Sequence, residues 1–213
     1  VEVLSLNFSN AEEITSQVKE WQTAGKIDGL YFLPSLVNEQ PIPKTNESVW
    51  METLENKLHN LVAAVREMAE FDFLVVATRI DGVHGLSNEG GKNPLAGATA
   101  GFAKALARER KGLLVKVVDF SSNEKPTSLA TKLIAETQFD AAVMEVGYIH
   151  EQRFTLVLQE AEFENATVNP LPEGSVFLVS GGTGGITAPI VEDLAKHTQG
   201  HFYLLARTQL PEK

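Results

Sequence analysis

Between Val176 and Pro189 the chain reads Val-Phe-Leu-Val-Ser-Gly-Gly-Thr-Gly-Gly-Ile-Thr-Ala-Pro, an apolar run, a glycine cluster and the start of a helical pattern. Glycines let the backbone turn tightly and approach a pyrophosphate, and the N–H groups and dipole of the helix that follows favour negative charge. Ser180, Gly181, Gly182, Thr183, Gly184, Gly185 and Ile186 are therefore the candidate residues for holding a dinucleotide. Ile186, Ile190, Val191 and Leu194 give the helix an apolar face, Pro189 fits its first turn, and Gly200 is expected to close it. Thr187 stands where the usual third glycine sits, which loosens the packing of helix on strand.

About twenty residues past the glycines, at the tip of the second strand, such a site carries the residue that reads the adenosine ribose. Here it is Arg207. An acid would accept from a free 2′-hydroxyl and favour NAD, whereas a guanidinium matches a 2′-phosphate in charge and paired donors, so NADPH is the expected cofactor.

Other constellations fall short of chemistry. Gly85 to Lys92 imitates a P-loop, but Leu86 stands where a glycine is needed and Asn93 where Ser or Thr is needed; a flexible surface loop is the expectation. His197 and His201 have metal-ligand spacing only if one helix carries both, and Gly200 lies between them, so no metal site is expected. Tyr148 and His150 fall in a turn between strands and are assigned no catalytic role.

The elements that must position the glycine loop alternate strand and helix throughout, the mark of an α/β fold with a mainly parallel sheet and helices on both faces. Strands are expected at 1–6, 29–36, 73–77, 113–118, 141–147, 154–158, 175–180 and 201–206, and helices at 10–24, 54–69, 94–110, 127–137 and 186–197. Asn38 to Asn46 and Gly82 to Gly91 read as loops, and Asn165 to Gly174, with two prolines and no periodicity, as a linker. The opening strand runs into Asn7-Phe-Ser-Asn-Ala, with no glycine to admit a phosphate, so residues 1–170 form a non-binding subdomain and 171–213 the start of a cofactor-binding one.

Composition narrows the partners. Eighteen Lys and Arg against 28 Asp and Glu give a net charge of −10, which leaves no positive field for a nucleic acid backbone. No apolar run approaches the roughly 20 residues of a membrane span, and no signal peptide is visible, so a soluble, cytoplasmic chain is expected. Without cysteine there are no disulfides, thiolate metal sites or thiol nucleophiles. Beginning at Val1 without Met and ending just after a strand, the chain reads as a piece of a longer polypeptide.

Three stretches together resemble the ketoreductase domain of modular polyketide synthases and, more closely, of polyunsaturated-fatty-acid-synthase-like megasynthases. They are Asn93 to Glu109 (Asn-Pro-Leu-Ala-Gly-Ala-Thr-Ala-Gly-Phe-Ala-Lys-Ala-Leu-Ala-Arg-Glu) with Val115 to Phe120; Ala142 to Tyr148 with Gln152-Arg-Phe; and Ser180 to Ala188. The resemblance implies a Rossmann-like fold of short-chain dehydrogenase type, a degenerate structural half followed by the first βαβ of a catalytic half. Setting Gly101 to Glu109 against the helix after a Tyr-x-x-x-Lys motif puts Lys92 and Ala96 at the Tyr and Lys positions. The family's catalytic Ser, Tyr, Lys and Asn lie beyond the chain, so no catalytic residue is carried over. The resemblance further implies NADPH-dependent reduction of a β-ketoacyl chain on an acyl carrier protein, in polyketide or fatty acid synthesis, beside the remainder of the ketoreductase and neighbouring synthase domains. The rival reading is a scaffold or docking module with a vestigial nucleotide fold, and Thr187 is its one support.

Overall fold

The computed structural model describes residues 2–5, 10–68, 70–88, 90–121, 124–161 and 171–207. The chain divides into two compact units, Val1–Leu158 and Gln159–Lys213. The expected subdomain boundary after residue 170 and most of the expected linker lie outside the described residues.

In the first unit α1 (Ala11–Ala24) starts where the Asn10 side chain accepts from the Glu13 N–H at 2.9 Å and stops at Gly25. It leads into β1 (Gly29–Phe32), four residues rather than eight, because Pro34 opens a 3₁₀ turn over Pro34–Leu36. Asn46 caps α2 (Glu47–Leu54), which passes through a π-turn, Glu55–His59, into α3 (Asn60–Glu67). The wider turn inserts a residue and rotates the buried face. Lys57, Asn60, Leu61, Ala64, Val65 and Met68 point inward, while the apolar Leu58 and Val62 are only half-buried.

The remaining elements are β2 (Phe73–Thr78), α4 (Ala96–Glu109), β3 (Leu114–Phe120), α5 (Pro126–Gln138), β4 (Glu145–Ile149) and β5 (Gln152–Thr155). The sheet runs β1-β2-β3-β4-β5, parallel through β4, with β5 returning antiparallel across a turn at His150 and Glu151. Alternate residues of β2 and β3 face opposite layers. Leu74, Val76, Val115 and Val117 pack with α1, α3 and α4, and Val75, Ala77, Val118 and Phe120 pack with α5. Residues 2–5, expected within a strand, form none; Val3 is 85% exposed, because an apolar alternation holds a strand only where an edge receives it.

The second unit contains β6 (Val176–Ser180), α6 (Thr187–Thr198) and β7 (His201–Leu205), with β6 and β7 parallel and Phe177 stacked on Phe202 at 4.5 Å. The other face of this pair, Val176, Leu178, Tyr203 and Leu205, is bare. No helix among the described residues is long and apolar enough to cross a membrane.

Candidate cofactor-binding site

Ser180 is the register partner of Leu205, so the loop from Gly181 and the chain leading to Arg207 leave the pair at the same, C-terminal end. This is where open α/β sheets receive ligands. Gly181 turns the chain with φ +68°, a left-handed value that favours glycine, and its N–H donates to the Leu205 carbonyl at 2.7 Å. The Gly184 N–H donates to the Gly181 carbonyl and the Ala188 N–H to the Gly184 carbonyl, at 2.9 and 2.8 Å. The amides of Gly182, Thr183, Gly185 and Ile186 have no partner among the described residues, and no side chain caps α6. Unpaired amides at a helix start are the groups that receive an anion.

A Cβ on Gly182 would lie 2.7 Å from Leu204 Cδ2, so this glycine lets β7 close on the loop, whereas space is open around Gly181 and Gly185. Thr187 is half-buried at the first position of α6. Arg207 is exposed and makes no ion pair among the described residues. Ser180 to Ile186 and Arg207 are thus gathered at one end of one unit. The helix does not close at Gly200 as expected. Gln199, at φ +47°, is its left-handed cap, and Gly200 instead permits close approach of the strands, since a Cβ there would meet the Ser175 carbonyl at 2.5 Å. His197 Nδ1 lies 2.8 Å from the Asp193 carbonyl of its own helix while His201 opens β7. No cluster of metal-ligating side chains occurs among the described residues.

In the first unit, the positions set against Tyr and Lys hold different chemistry. Ala96 is fully buried, and its N–H and that of Leu95 donate to the Glu39 carboxylate at 2.9 Å each. Lys57 Nζ reaches the same carboxylate at 2.8 Å and the Val37 carbonyl at 2.8 Å. A buried ion pair that caps α4 thus occupies this place. Neither Glu39 nor Lys57 stood out in the sequence; the only signal was a lysine among the leucines of the second helix.

A second buried network joins β3, α5, β4 and β5. Tyr148 donates to Glu136 Oε1 at 2.6 Å, Arg153 Nε to the same oxygen at 2.6 Å, and Lys116 Nζ to Oε2 at 3.3 Å and to the Asp140 carbonyl at 2.5 Å. Burial pushes the Glu136 carboxyl up, but the hydrogen bonds from Arg153, Tyr148 and Lys116 outweigh it and hold the group below its ordinary range. Burial and the bond to Glu136 push the Tyr148 phenol up to about 12. A phenol so disposed is a poor proton donor at neutral pH, in keeping with a structural role.

Against solved structures the chain matches a multidomain adenylation and ketoreductase structure of a keto acid-selecting NRPS module, with 18% identity over 94% of the chain and a TM-score of 0.69. It matches a C2-type ketoreductase from a modular polyketide synthase with 20% identity over 96% of the chain and a TM-score of 0.63. The chain shares its fold with these ketoreductase structures. An alcohol dehydrogenase from the archaeon Thermococcus sibiricus, solved with 5-hydroxy-NADP, matches 74% of this chain and 75% of that one at 13% identity and a TM-score of 0.53, in line with a Rossmann-like architecture of short-chain dehydrogenase type. The chain spans 17% of the NRPS chain and 44% of the polyketide synthase chain. No protein-family model and no curated protein sequence matches.

Proposed function

We propose that this chain is the structural half and the first βαβ element of a β-ketoacyl reductase domain, using NADPH to reduce β-ketoacyl thioesters carried on an acyl carrier protein within a cytoplasmic multidomain synthase. The observation that carries the reading is the uncapped glycine loop with Arg207 at the same end of a parallel strand pair. Ketoreductase neighbours covering nearly the whole chain support an oxidoreductase domain of this kind. In this reading the amides of Gly182, Thr183, Gly185 and Ile186 hold the pyrophosphate, Ser180, Gly181 and Gly184 line it, and Arg207 engages the 2′-phosphate. NADPH when bound supplies hydride to the ketone. The residues present bind and orient it; the proton comes from residues outside this chain.

In this reading the boundary near residue 170 separates a half whose buried carboxylates are satisfied from within from a half that leaves the amides of Gly182, Thr183, Gly185 and Ile186 free. The bare apolar face of β6 and β7 supports further elements packing there, because parallel sheets are stable when covered on both faces. Thr187 at the first turn of α6 favours the scaffold reading, in which the loop binds nothing. Calorimetric titration of NADPH against a ketoreductase-length polypeptide containing this chain separates the two: binding heat supports the reductase, and its absence supports the scaffold.

A further inference from the structure

At the C-terminal ends of β2 and β3 the first unit encloses an anion of its own. Asp119 is fully buried, and its carboxylate accepts from the Thr78 hydroxyl at 2.7 Å and from the backbone N–H groups of Ile80, Asp81, Gly82 and His84 at 2.7, 3.2, 2.7 and 3.0 Å. No cation pairs with it among the described residues; amides and a hydroxyl supply all of its compensation. Gly82, His84 and Gly85 have φ of +88°, +58° and +86°, which turns successive amides inward. For His84 this conformation is uncommon, so the surroundings must hold it there. Asp81 fastens the far side of the loop by accepting from Val83, Gly85 and Ser87 at 2.9, 2.7 and 3.1 Å. Burial raises its carboxyl, yet these bonds keep it below its ordinary range.

Inward-turned amides in and around left-handed residues form the concavity that proteins use for phosphate. Its position, outside the carboxyl ends of parallel strands, is where such ligands land. Buried polar atoms of three residues at this end, Arg79 Nε, His84 Nε2 and Ser121 Oγ, have no hydrogen-bond partner among the described residues, so Asp119 leaves polar capacity unused. We infer that residues 80–88 form an anion cradle whose resident ligand is the Asp119 carboxylate, and that this carboxylate closes the first unit to phosphate. The inference is independent of the cofactor reading of the second unit.

Asp119→Ala tests it on the full chain. Thermal midpoints are followed in sodium formate, inorganic phosphate and sodium chloride at equal ionic strength. Formate and phosphate are expected to raise the midpoint of the variant by several degrees beyond chloride and to leave the unaltered chain at its chloride value. Equal effects of all three salts on the variant would overturn the cradle. Hydrogen exchange on the unaltered chain gives a reading that does not depend on the variant folding. The amides of Ile80, Gly82 and His84 should exchange as slowly as those of β2, and exchange at the rate of an open loop would contradict the inference.

Discussion

Lys116, in the middle of the apolar strand Leu-Val-Lys-Val-Val, is a charge that a buried strand cannot leave unpaired. Its partners were not visible, because Glu136 and the Asp140 carbonyl reach it from α5 and the turn that follows, while Tyr148 and Arg153 join through Glu136 from β4 and β5. Removing the Tyr148 hydroxyl takes one hydrogen bond from a buried carboxylate, so Tyr148→Phe should lower stability by about 1.5–3 kcal/mol in urea titration at neutral pH. The same phenol gives an alkaline limb. Its folded value of about 12 lies above the ordinary 10.0, so the unfolded chain releases the proton first and stability falls as pH rises between the two. Tyr148→Phe should flatten that limb. Glu136 has the opposite sign: its carboxyl is held low, so its contribution is present above the ordinary value of 4.5 and is lost as pH falls through the folded value. Glu136→Gln leaves Lys116 without its carboxylate and should cost about 3–5 kcal/mol at pH 7. It should also reduce the dependence of the urea midpoint on acid.

Most elements were legible because helix caps, prolines and apolar periodicity act locally: Asn10, Gly25 and Pro34 set boundaries within a residue or two of where they stand. What depended on distant partners was not. The π-turn at Glu55–His59 shows no local sequence mark; there the Asn60 N–H bonds back to Glu55, and the Lys57 carbonyl receives the Thr99 hydroxyl at 2.6 Å. The loop from Gly82 read as flexible because its glycines and polar residues say nothing of Asp119, some 35 residues on, which ties it down. Its glycines serve close approach: a Cβ on Gly147 would lie 2.0 Å from the Gly82 carbonyl oxygen, and one on Gly82 2.4 Å from the Tyr148 carbonyl oxygen. Gly147→Ala should therefore destabilise the first unit by about 1–3 kcal/mol or more, measured by urea unfolding. The glycine loop of the second unit was the most legible part of the site, since strand, turn and helix are contiguous in sequence.

Taken whole, the chain offers one half whose buried carboxylates, Glu39, Asp119 and Glu136, are satisfied from within and a second in which four loop amides have no partner among the described residues. Its length, less than half that of the polyketide synthase and NRPS chains it resembles, matches a reading in which the reacting groups lie elsewhere. The 213-residue chain should accordingly show no turnover of a β-ketoacyl thioester with NADPH, followed by loss of cofactor absorbance. The central claim, that the glycine loop and Arg207 form the start of an NADPH site, is tested most directly by dissociation constants for NADPH and NADH on a ketoreductase-length polypeptide with and without Arg207→Asp. Loss of hydrogen bonds to a charged group, about 1.5–3 kcal/mol, corresponds to roughly ten- to a hundredfold weaker NADPH binding. Repulsion from the new carboxylate adds to that loss, while NADH, with a free hydroxyl to donate, should bind as well or better. An unchanged preference between the two cofactors would contradict the account.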